Sequence, residues 1–98
     1  MVEKIIWTPE ALSSFKNILQ YLKENWSEKE ITNFIKATNN SIDYISKNPK
    51  MFRATNKKNV HEALVTPHNL LIYKVSSNKI DIITFWDTRR NPRKKKYK

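Results

Sequence analysis

The chain is unusual first for what it lacks, because its 98 residues include no glycine and no cysteine. Without glycine, neither the dinucleotide-binding fingerprint nor the P-loop can be built, which excludes enzymes that hold nucleotides in such loops. Without cysteine, a disulfide scaffold and a thiolate metal site are both excluded. Tight turns that need a positive φ must use Asn or Asp, the residues that tolerate this region best after glycine.

Long hydrophobic runs are also missing. No apolar stretch of the sequence approaches the roughly 18–20 residues that span a membrane. Glu3 and Pro9 interrupt the short apolar stretch at the N-terminus, so it does not have the pattern of a signal peptide. We therefore expect a cytoplasmic protein with no membrane partner.

Acidic residues are scarce, since 9 Asp and Glu stand against 19 Lys and Arg and give a net charge of +10. The excess is concentrated at one end of the chain. The first 88 residues contain 12 Lys and Arg and all 9 acidic residues, whereas Arg89–Lys98 is mostly basic and has no acidic residue. Such a block of charge favours an anionic partner, either nucleic acid or an acidic protein segment.

The first half of the sequence predicts a strand followed by two helices. Val2–Trp7 has the composition of a strand, and Thr8-Pro9-Glu10 is a typical helix start with a Thr cap and Pro at the first position. Apolar residues at helical spacing follow, namely Ala11, Leu12, Phe15, Ile18, Leu19, Leu22 and Trp26. Ser27 and Glu30 predict a capping box for a second helix, whose expected buried face is Ile31, Phe34, Ile35, Thr38, Ile42 and Ile45.

The second half predicts a sheet. Three β-rich runs, 60–65, 70–75 and 80–86, are separated by short turns, which is typical of an antiparallel meander. We expect an α+β fold in the order strand, helix, helix, strand, strand, strand. The two helices form an antiparallel hairpin that packs on one face of an antiparallel sheet. One domain is expected over residues 1–92, followed by a basic C-terminal tail over residues 93–98.

Several local patterns resemble the RelE/ParE superfamily of toxins from type II toxin–antitoxin systems, and the resemblance extends over nearly the whole chain. They are Trp7-Thr8-Pro9-Glu10-Ala11, Tyr21-Leu22-Lys23-Glu24-Asn25-Trp26, Asn48-Pro49-Lys50-Met51-Phe52, Val60-His61-Glu62, Leu71-Ile72-Tyr73-Lys74-Val75 and Phe85-Trp86-Asp87-Thr88-Arg89-Arg90-Asn91-Pro92. The resemblance implies a toxin of the β-α-α-β-β-β fold that a cognate antitoxin neutralises through an acidic flexible segment. It also implies a role in plasmid stabilisation.

The superfamily has two activities, and the resemblance to its ParE-like branch is the closer one. RelE-like members cut mRNA on the ribosome, whereas ParE-like members poison DNA gyrase. With Tyr73 placed on the core-strand Tyr of RelE-like toxins, His61 and Arg89 fall on basic positions of their catalytic set, and Tyr97 lies near a C-terminal Tyr. Ala63 and Leu70 fall on two further basic positions and cannot act there. We therefore expect gyrase poisoning without a catalytic site. The alternatives are a ribosome-dependent mRNA endonuclease and a non-toxic nucleic-acid-binding module of the same fold.

Partner binding is expected at basic residues near the end of the sheet and in the segment that joins the second helix to the sheet. The candidates are Arg53, Lys57, Lys58, Trp86, Arg89, Arg90, Arg93 and Lys94. The basic segments are equally consistent with solvated surface, and Trp86 with core packing. Adjacent residues on a strand point to opposite faces, so His61 and Glu62 are not expected to act as a pair. His68 is expected in a surface turn, and no cluster of His and acidic residues has metal spacing, so no metal or cofactor is expected.

Overall fold

The structure, a computed structural model, describes residues 4–88. It contains a mixed β-sheet and a helical hairpin that covers one face of the sheet. The elements in chain order are β1 (Lys4–Trp7), α1 (Pro9–Asn25), α2 (Glu28–Lys47), β2 (Arg53–Ala54), β3 (Val60–Thr66), β4 (Asn69–Ser76) and β5 (Lys79–Asp87). The predicted α+β class, the helical hairpin and the meander β3–β4–β5 are confirmed.

The sheet differs from the prediction in two ways. Its order is β1-β5-β4-β3-β2, and β1 is parallel to β5, so the sheet is not purely antiparallel. A parallel edge strand is possible because a long connection, which contains the two helices and the strands β2 to β4, separates β1 from β5. β2 was not predicted, because a two-residue strand has no periodicity of its own and exists only through its pairing with His61 and Glu62 of β3.

The start of α1 is fixed to the middle of β5 by two hydroxyl groups. Thr8 caps the helix by accepting a hydrogen bond from the Ala11 N–H, as the sequence predicts. Its Oγ1 also lies 2.8 Å from the Ile82 carbonyl oxygen and 3.0 Å from that of Ile83, which is the extra residue of a β-bulge. One turn later, the Ser14 hydroxyl accepts a hydrogen bond from the Phe85 N–H at 2.9 Å. The helix therefore supplies partners for backbone groups at and beside the bulge.

The predicted capping box at the start of α2 is wrong. Ser27 occupies the cap position with extended backbone angles, but its side chain makes no capping hydrogen bond. The Ser27–Glu30 pattern permits this bond without requiring it, because the side chains of Ser27 and Glu30 can also turn towards water. Ser27 is exposed at the corner of the hairpin, where water competes for the backbone N–H groups.

The core lies between the helices and the sheet. Its buried side chains are Ala11, Phe34, Ile45, Ala63, Leu71, Tyr73, Ile80, Ile82 and Phe85. The predicted apolar faces of the two helices include three residues that are not buried, because Leu12, Trp26 and Ile35 are exposed. Helical spacing fixes the direction of a side chain but not how far the sheet beneath it extends.

Turns without glycine are made by asparagine, as the sequence predicts. The two residues with positive φ in the described part of the chain are Asn59 at 63° and Asn78 at 52°. Asn59 precedes β3, and Asn78 lies in the turn between β4 and β5. Asparagine tolerates the left-handed region because its short polar side chain can hydrogen-bond locally.

Candidate functional site

At one end of the core, the loop after α2 covers the side chains that the sequence offered for RNA chemistry. We call this the loop end: Pro49–Phe52, His61 and Tyr73. The Tyr73 side chain is fully buried, and its hydroxyl donates a hydrogen bond of 2.8 Å to the Pro49 carbonyl oxygen. Burial raises the pKa of the Tyr73 phenol well above its ordinary value. The hydroxyl is therefore neutral and already used as a donor to the backbone.

His61 is held at the loop end by two contacts. Its ring stacks on the Tyr73 ring at a centroid distance of 5.6 Å and an angle of 19°. Its Nδ1 lies 3.0 Å from the Phe52 carbonyl oxygen and donates a hydrogen bond to it. The two residues are direct partners in the β3–β4 register, so they share one face of the sheet. These contacts give His61 a structural role in fixing the loop.

Glu62 and Arg53 form an ion pair on the opposite side of β3. The Glu62 side chain is 7% exposed, and the Arg53 guanidinium bonds its carboxylate. The separation of His61 from Glu62 that strand geometry predicts is thus found. Arg53, which the sequence offers as a partner-binding cation, has its charge matched within the chain, although its side chain is still largely exposed.

Lys57 and Lys58 lie in the turn between β2 and β3 and are exposed. This turn is at the end of the sheet where β3 begins. The end of β5 lies at the other end, because Asp87 pairs with Asn69, the partner of the last β3 residue. A seven-residue strand separates the two places by about 23 Å. Lys57 and Lys58 are therefore remote from the C-terminal end of β5.

The remaining sequence-predicted residues divide into two groups. Trp86 is partly buried, next to Leu70 in the register and on the face of the sheet away from the helices, since its neighbour Phe85 points into the core. His68 is exposed in the β3–β4 turn, as expected. The candidates Arg89, Arg90, Arg93, Lys94 and Tyr97 lie outside the described residues, as does the predicted tail 93–98.

At the other end of the core, the helical hairpin and the β3–β4 turn leave a groove of about 650 Å³. We call this the corner groove, because the corner between α1 and α2 forms one of its walls. That wall consists of Ser14, Asn17, Ile18, Tyr21, Leu22, Trp26, Glu30, Asn33, Phe34 and Ala37. The sheet contributes Val65, Thr66, Pro67, His68, Asn69, Phe85 and Asp87.

The floor of the corner groove is aromatic and its rim is partly acidic. Phe34 and Phe85 are each 3% exposed, and both pack against Phe15, with centroid distances of 5.3 and 5.2 Å. On the rim, Trp26 is 60% exposed and Tyr21 is 44% exposed. Glu30 and Asp87 also line the groove, and none of the described lining residues is Lys or Arg. The described lining of the groove is thus mainly apolar and includes two carboxylates.

Sequence reasoning named none of the residues that line the corner groove as a site. It placed Trp26 in the apolar stripe of α1. The useful signal was its place at the corner of the hairpin, beyond Asn25, where no strand is available to cover the ring. A large aromatic residue at such a place indicates a binding surface as readily as a core.

Residues 4–88 contain neither a candidate membrane-spanning helix nor a candidate metal site. No helix there is long and apolar enough to cross a membrane. In the same residues, no group of three or more His, Asp or Glu side chains is placed to hold a metal ion.

Comparisons with known proteins agree on one fold. Over 88% of its length the chain superposes on 96% of a chain from the chromosomal ParDE toxin–antitoxin system of P. aeruginosa, with a TM-score of 0.73 and 11% identity. It also matches the YoeB dimer of Staphylococcus aureus, with a TM-score of 0.61, 19% identity, and coverage of 85% of this chain and 93% of that one. A copper-bound mutant toxin from Helicobacter pylori gives a TM-score of 0.61 at 15% identity, with coverage of 89% and 94%.

Sequence comparison gives the family. No curated protein matches the chain. The family model described as the ParE toxin of the type II toxin–antitoxin system parDE matches residues 5–92, which is most of the sequence. The resemblance seen in the sequence motifs is confirmed, and this chain belongs to the family of ParE toxins of type II toxin–antitoxin systems.

Proposed function

We propose that this toxin inhibits growth by binding DNA gyrase in the cytoplasm and has no RNA-cleaving chemistry of its own. The proposal rests on the hydrogen bonds that His61 and Tyr73 make at the loop end. There, the Tyr73 hydroxyl and the His61 Nδ1 both donate hydrogen bonds to backbone carbonyl oxygens of the loop after α2, so neither of these two atoms is available to a substrate.

The chemistry of RNA cleavage explains why this observation matters. Cleavage needs a base for the 2′-hydroxyl, cations for the phosphorane and an acid for the leaving group. His61 donates Nδ1 to the Phe52 carbonyl oxygen, and the Tyr73 hydroxyl is bound to Pro49. Ala63 is buried in the core, and Leu70 carries no polar group. The side chains of the described residues therefore supply a poor set of catalysts.

We also propose that a cognate antitoxin holds this toxin inactive. The P. aeruginosa structure is of a ParDE toxin–antitoxin system, and a YoeB–YefM complex from Staphylococcus aureus matches with a TM-score of 0.58 at 19% identity. Family membership makes a partner of this kind the natural expectation here. A net charge of +10 favours rapid association with an acidic, flexible segment.

The runner-up function is a ribosome-dependent mRNA endonuclease that uses His61, Arg89 and Tyr97. The shared fold with YoeB keeps it as a candidate, although likeness at this identity concerns the fold alone. In that mechanism, Arg89 is a cation for the phosphate in the transition state, and its loss costs orders of magnitude in cleavage. In the gyrase mechanism, Arg89 is one contact among several, and Arg89→Ala reduces toxicity only in part.

Induced expression with two separate readouts tests the proposal. We expect DNA supercoiling to be inhibited, or cleaved DNA to be trapped, while ribosome-bound mRNA stays intact. His61→Phe keeps a ring on Tyr73 and removes the imidazole, and His68→Ala is its control in an exposed turn. Both variants are expected to remain toxic. Codon-positioned cuts in mRNA that vanish in His61→Phe but persist in His68→Ala would establish the endonuclease instead. A protein that is harmless and binds RNA would be the non-toxic module.

A further inference from the structure

The face of the sheet away from the helices, which we call the outer face, has a buried centre. Tyr73 and Phe85 point into the core, so alternation places their neighbours Ile72 and Thr84 on the outer face, where the two are direct partners. Glu62 of β3 is the other partner of Ile72, so the three side chains form a row across this face. Ile72 is 0% exposed, and Thr84 and Glu62 are also buried. The two helices lie on the opposite face and do not cover the row.

Neighbours on the outer face explain only part of this burial. Side chains on a sheet stand roughly perpendicular to it, so neighbours shield them from the side and leave their tips open to water. Leu64 follows Glu62 on the same face and is 59% exposed. Arg53 bonds the Glu62 carboxylate from the edge strand β2, but its own side chain is largely exposed. The burial of Ile72 therefore favours a cover that lies outside residues 4–88.

The sequence of β4 agrees with burial on both faces. A strand with one solvated face alternates between apolar and polar residues, whereas a strand buried on both faces is apolar without alternation. β4 begins with the continuous apolar run Leu70-Leu71-Ile72, and the next outer-face residue, Lys74, is exposed. Leu70 pairs with Trp86, so the covered half of the outer face is the half next to the end of β5.

We propose that residues 89–92 fold back over the outer face as a strap that covers the row Glu62, Ile72 and Thr84. Thr88 is the last described residue, and it follows Thr84 by four residues on the strand beside Ile72, which places Ile72 about 14 Å away. Four extended residues reach about 13 Å, and their side chains extend further. The family model matches the chain as far as residue 92, which agrees with a domain that includes the strap.

The three residues before Lys4 are a poorer cover. Lys4 lies at the level of Ser76 in the register. Ile72 is four residues from Ser76 along β4 and two strands from β1, a distance of about 16 Å. Three residues span only about 10 Å, and Glu3 would bring a second carboxylate towards Glu62. The C-terminal side of the chain is therefore the one that can reach the row.

Within the proposed strap, Arg90 bonds the Glu62 carboxylate. Trp86 lies on the outer face, and continued alternation puts Arg90 on that side and Arg89 on the other. An ionised carboxylate accepts several hydrogen bonds, so Glu62 can hold a second guanidinium beside that of Arg53. A buried charge is costly unless it is paired and hydrogen-bonded, which favours this arrangement. Arg90 then stabilises the fold, whereas Arg89 stays available to a partner.

Thiol labelling of the full chain tests the cover, because the sequence contains no cysteine. Ile72→Cys places a thiol under the strap, and Leu64→Cys places one on the same face in an exposed position. We expect a soluble thiol reagent to modify the first at least about a hundredfold more slowly than the second, since a covered thiol reacts only when the structure opens locally. The result does not depend on the cellular target of the toxin.

Two serine replacements locate the cover. Replacement of residues 89–92 by serine should speed the labelling of Ile72→Cys by at least about tenfold and leave that of Leu64→Cys unchanged. Replacement of residues 93–96 by serine is the matched control and should change neither rate. Rapid labelling of Ile72→Cys in the otherwise unchanged chain, slow labelling after residues 89–92 are replaced, or equal effects of the two replacements would each overturn the inference.

Two point variants test the role of Arg90 by a milder change. Arg90→Gln should lower the melting temperature by about 5–10 °C, as the loss of a charged hydrogen bond does in a domain of this size. Arg89→Gln removes the same charge and should lower it by less than about 2 °C. In a Glu62→Gln background, which lacks the carboxylate, the two variants should behave alike. Equal shifts for Arg90→Gln and Arg89→Gln in the native background would show that Arg90 does not bond Glu62.

Discussion

Each end of the core has a tyrosine and a second ring-bearing side chain, but these side chains lie under a loop at one end and are exposed at the other. At the loop end, Tyr73 and His61 lie beneath Pro49–Phe52, and the Tyr73 hydroxyl and the His61 Nδ1 bond the backbone of that loop. At the corner groove, Tyr21 and Trp26 stand on the rim, and in the described residues no loop crosses the aromatic floor. One end is closed by tertiary contacts, and the other presents a surface.

This difference shows that residue type is a weak guide to function when it is read alone. His61 and Tyr73 are the residue types that proton transfer uses most readily, yet the His61 Nδ1 and the Tyr73 hydroxyl bond the backbone of the loop. Trp26 has the sequence pattern of a core residue, and the hairpin corner makes it a surface residue. Whether a loop covers each end decides both outcomes, and loop position depends on long-range contacts.

The largest expected effect is at the loop end. Tyr73→Ala should lower the free energy of unfolding by about 3–5 kcal/mol, because it leaves a cavity under a fully buried ring. Tyr73→Phe should cost about 1–2 kcal/mol, since it keeps the ring and leaves the Pro49 carbonyl oxygen unpaired. Urea unfolding measures both values.

Tyr44→Phe is the matched control, because Tyr44 is 59% exposed on α2. Its effect should stay within about 0.5 kcal/mol. Equal costs for Tyr73→Phe and Tyr44→Phe would mean that the Tyr73 hydroxyl does not hold the loop, and the contrast between the two ends would fail.

The second prediction concerns the open end. Trp26→Ala should change the free energy of unfolding by less than about 0.5 kcal/mol, because most of the side chain is already exposed. It should weaken antitoxin binding by at least about tenfold, as removal of an aromatic anchor does. Isothermal calorimetry and thermal melts of one preparation give both numbers. A large loss of stability without a loss of affinity would place Trp26 in the core.

The third prediction uses the raised pKa of Tyr73. Its phenol stays protonated in the folded state, whereas it ionises near pH 10 when the chain is unfolded. The stabilising contribution is complete below about pH 10 and is lost as the pH rises further, by up to about 1.4 kcal/mol per pH unit. Urea unfolding at pH 9 and pH 11 should therefore show a steeper loss for the wild type than for Tyr73→Phe. Parallel losses would show that Tyr73 does not titrate differently in the two states.

The smallest expected effect is that of deleting Arg93–Lys98. This segment has little apolar content, so the melting temperature should change by less than about 5 °C, the shift that about 1 kcal/mol causes in a domain of this size. Binding to an anionic partner should weaken at low salt, and the difference should shrink as salt screens the charges. A larger drop in melting temperature would show that the segment packs on the domain.

Elements defined by their neighbours along the chain could be predicted from the sequence. Thr8, Pro9 and the apolar spacing that follows specify α1, and the alternating runs specify β3, β4 and β5 within one residue at each end. The use of asparagine at positive φ follows from the lack of glycine. Each of these features depends on local chemistry that a short window contains.

Features that depend on distant partners could not be predicted. β2 exists because Arg53 and Ala54 pair with β3, and β1 is parallel to β5 because the chain enters the sheet at the opposite edge and the meander β3–β4–β5 brings it to lie beside β1. The corner groove is formed by residues of α1, α2, β3, β4 and β5, so no single segment indicates it. The role of His61 likewise depends on Phe52 and Tyr73, and only the folded chain brings these together.

We propose that the toxin acts on gyrase and that the contacts of the loop end stabilise the fold. The most direct measurement is plasmid supercoiling by purified gyrase, titrated with the wild-type toxin and with His61→Phe, beside an mRNA-integrity assay on translating ribosomes. We expect both proteins to inhibit supercoiling at the same concentration and neither to cut mRNA. Unaffected supercoiling together with mRNA cleavage that requires His61 would contradict it.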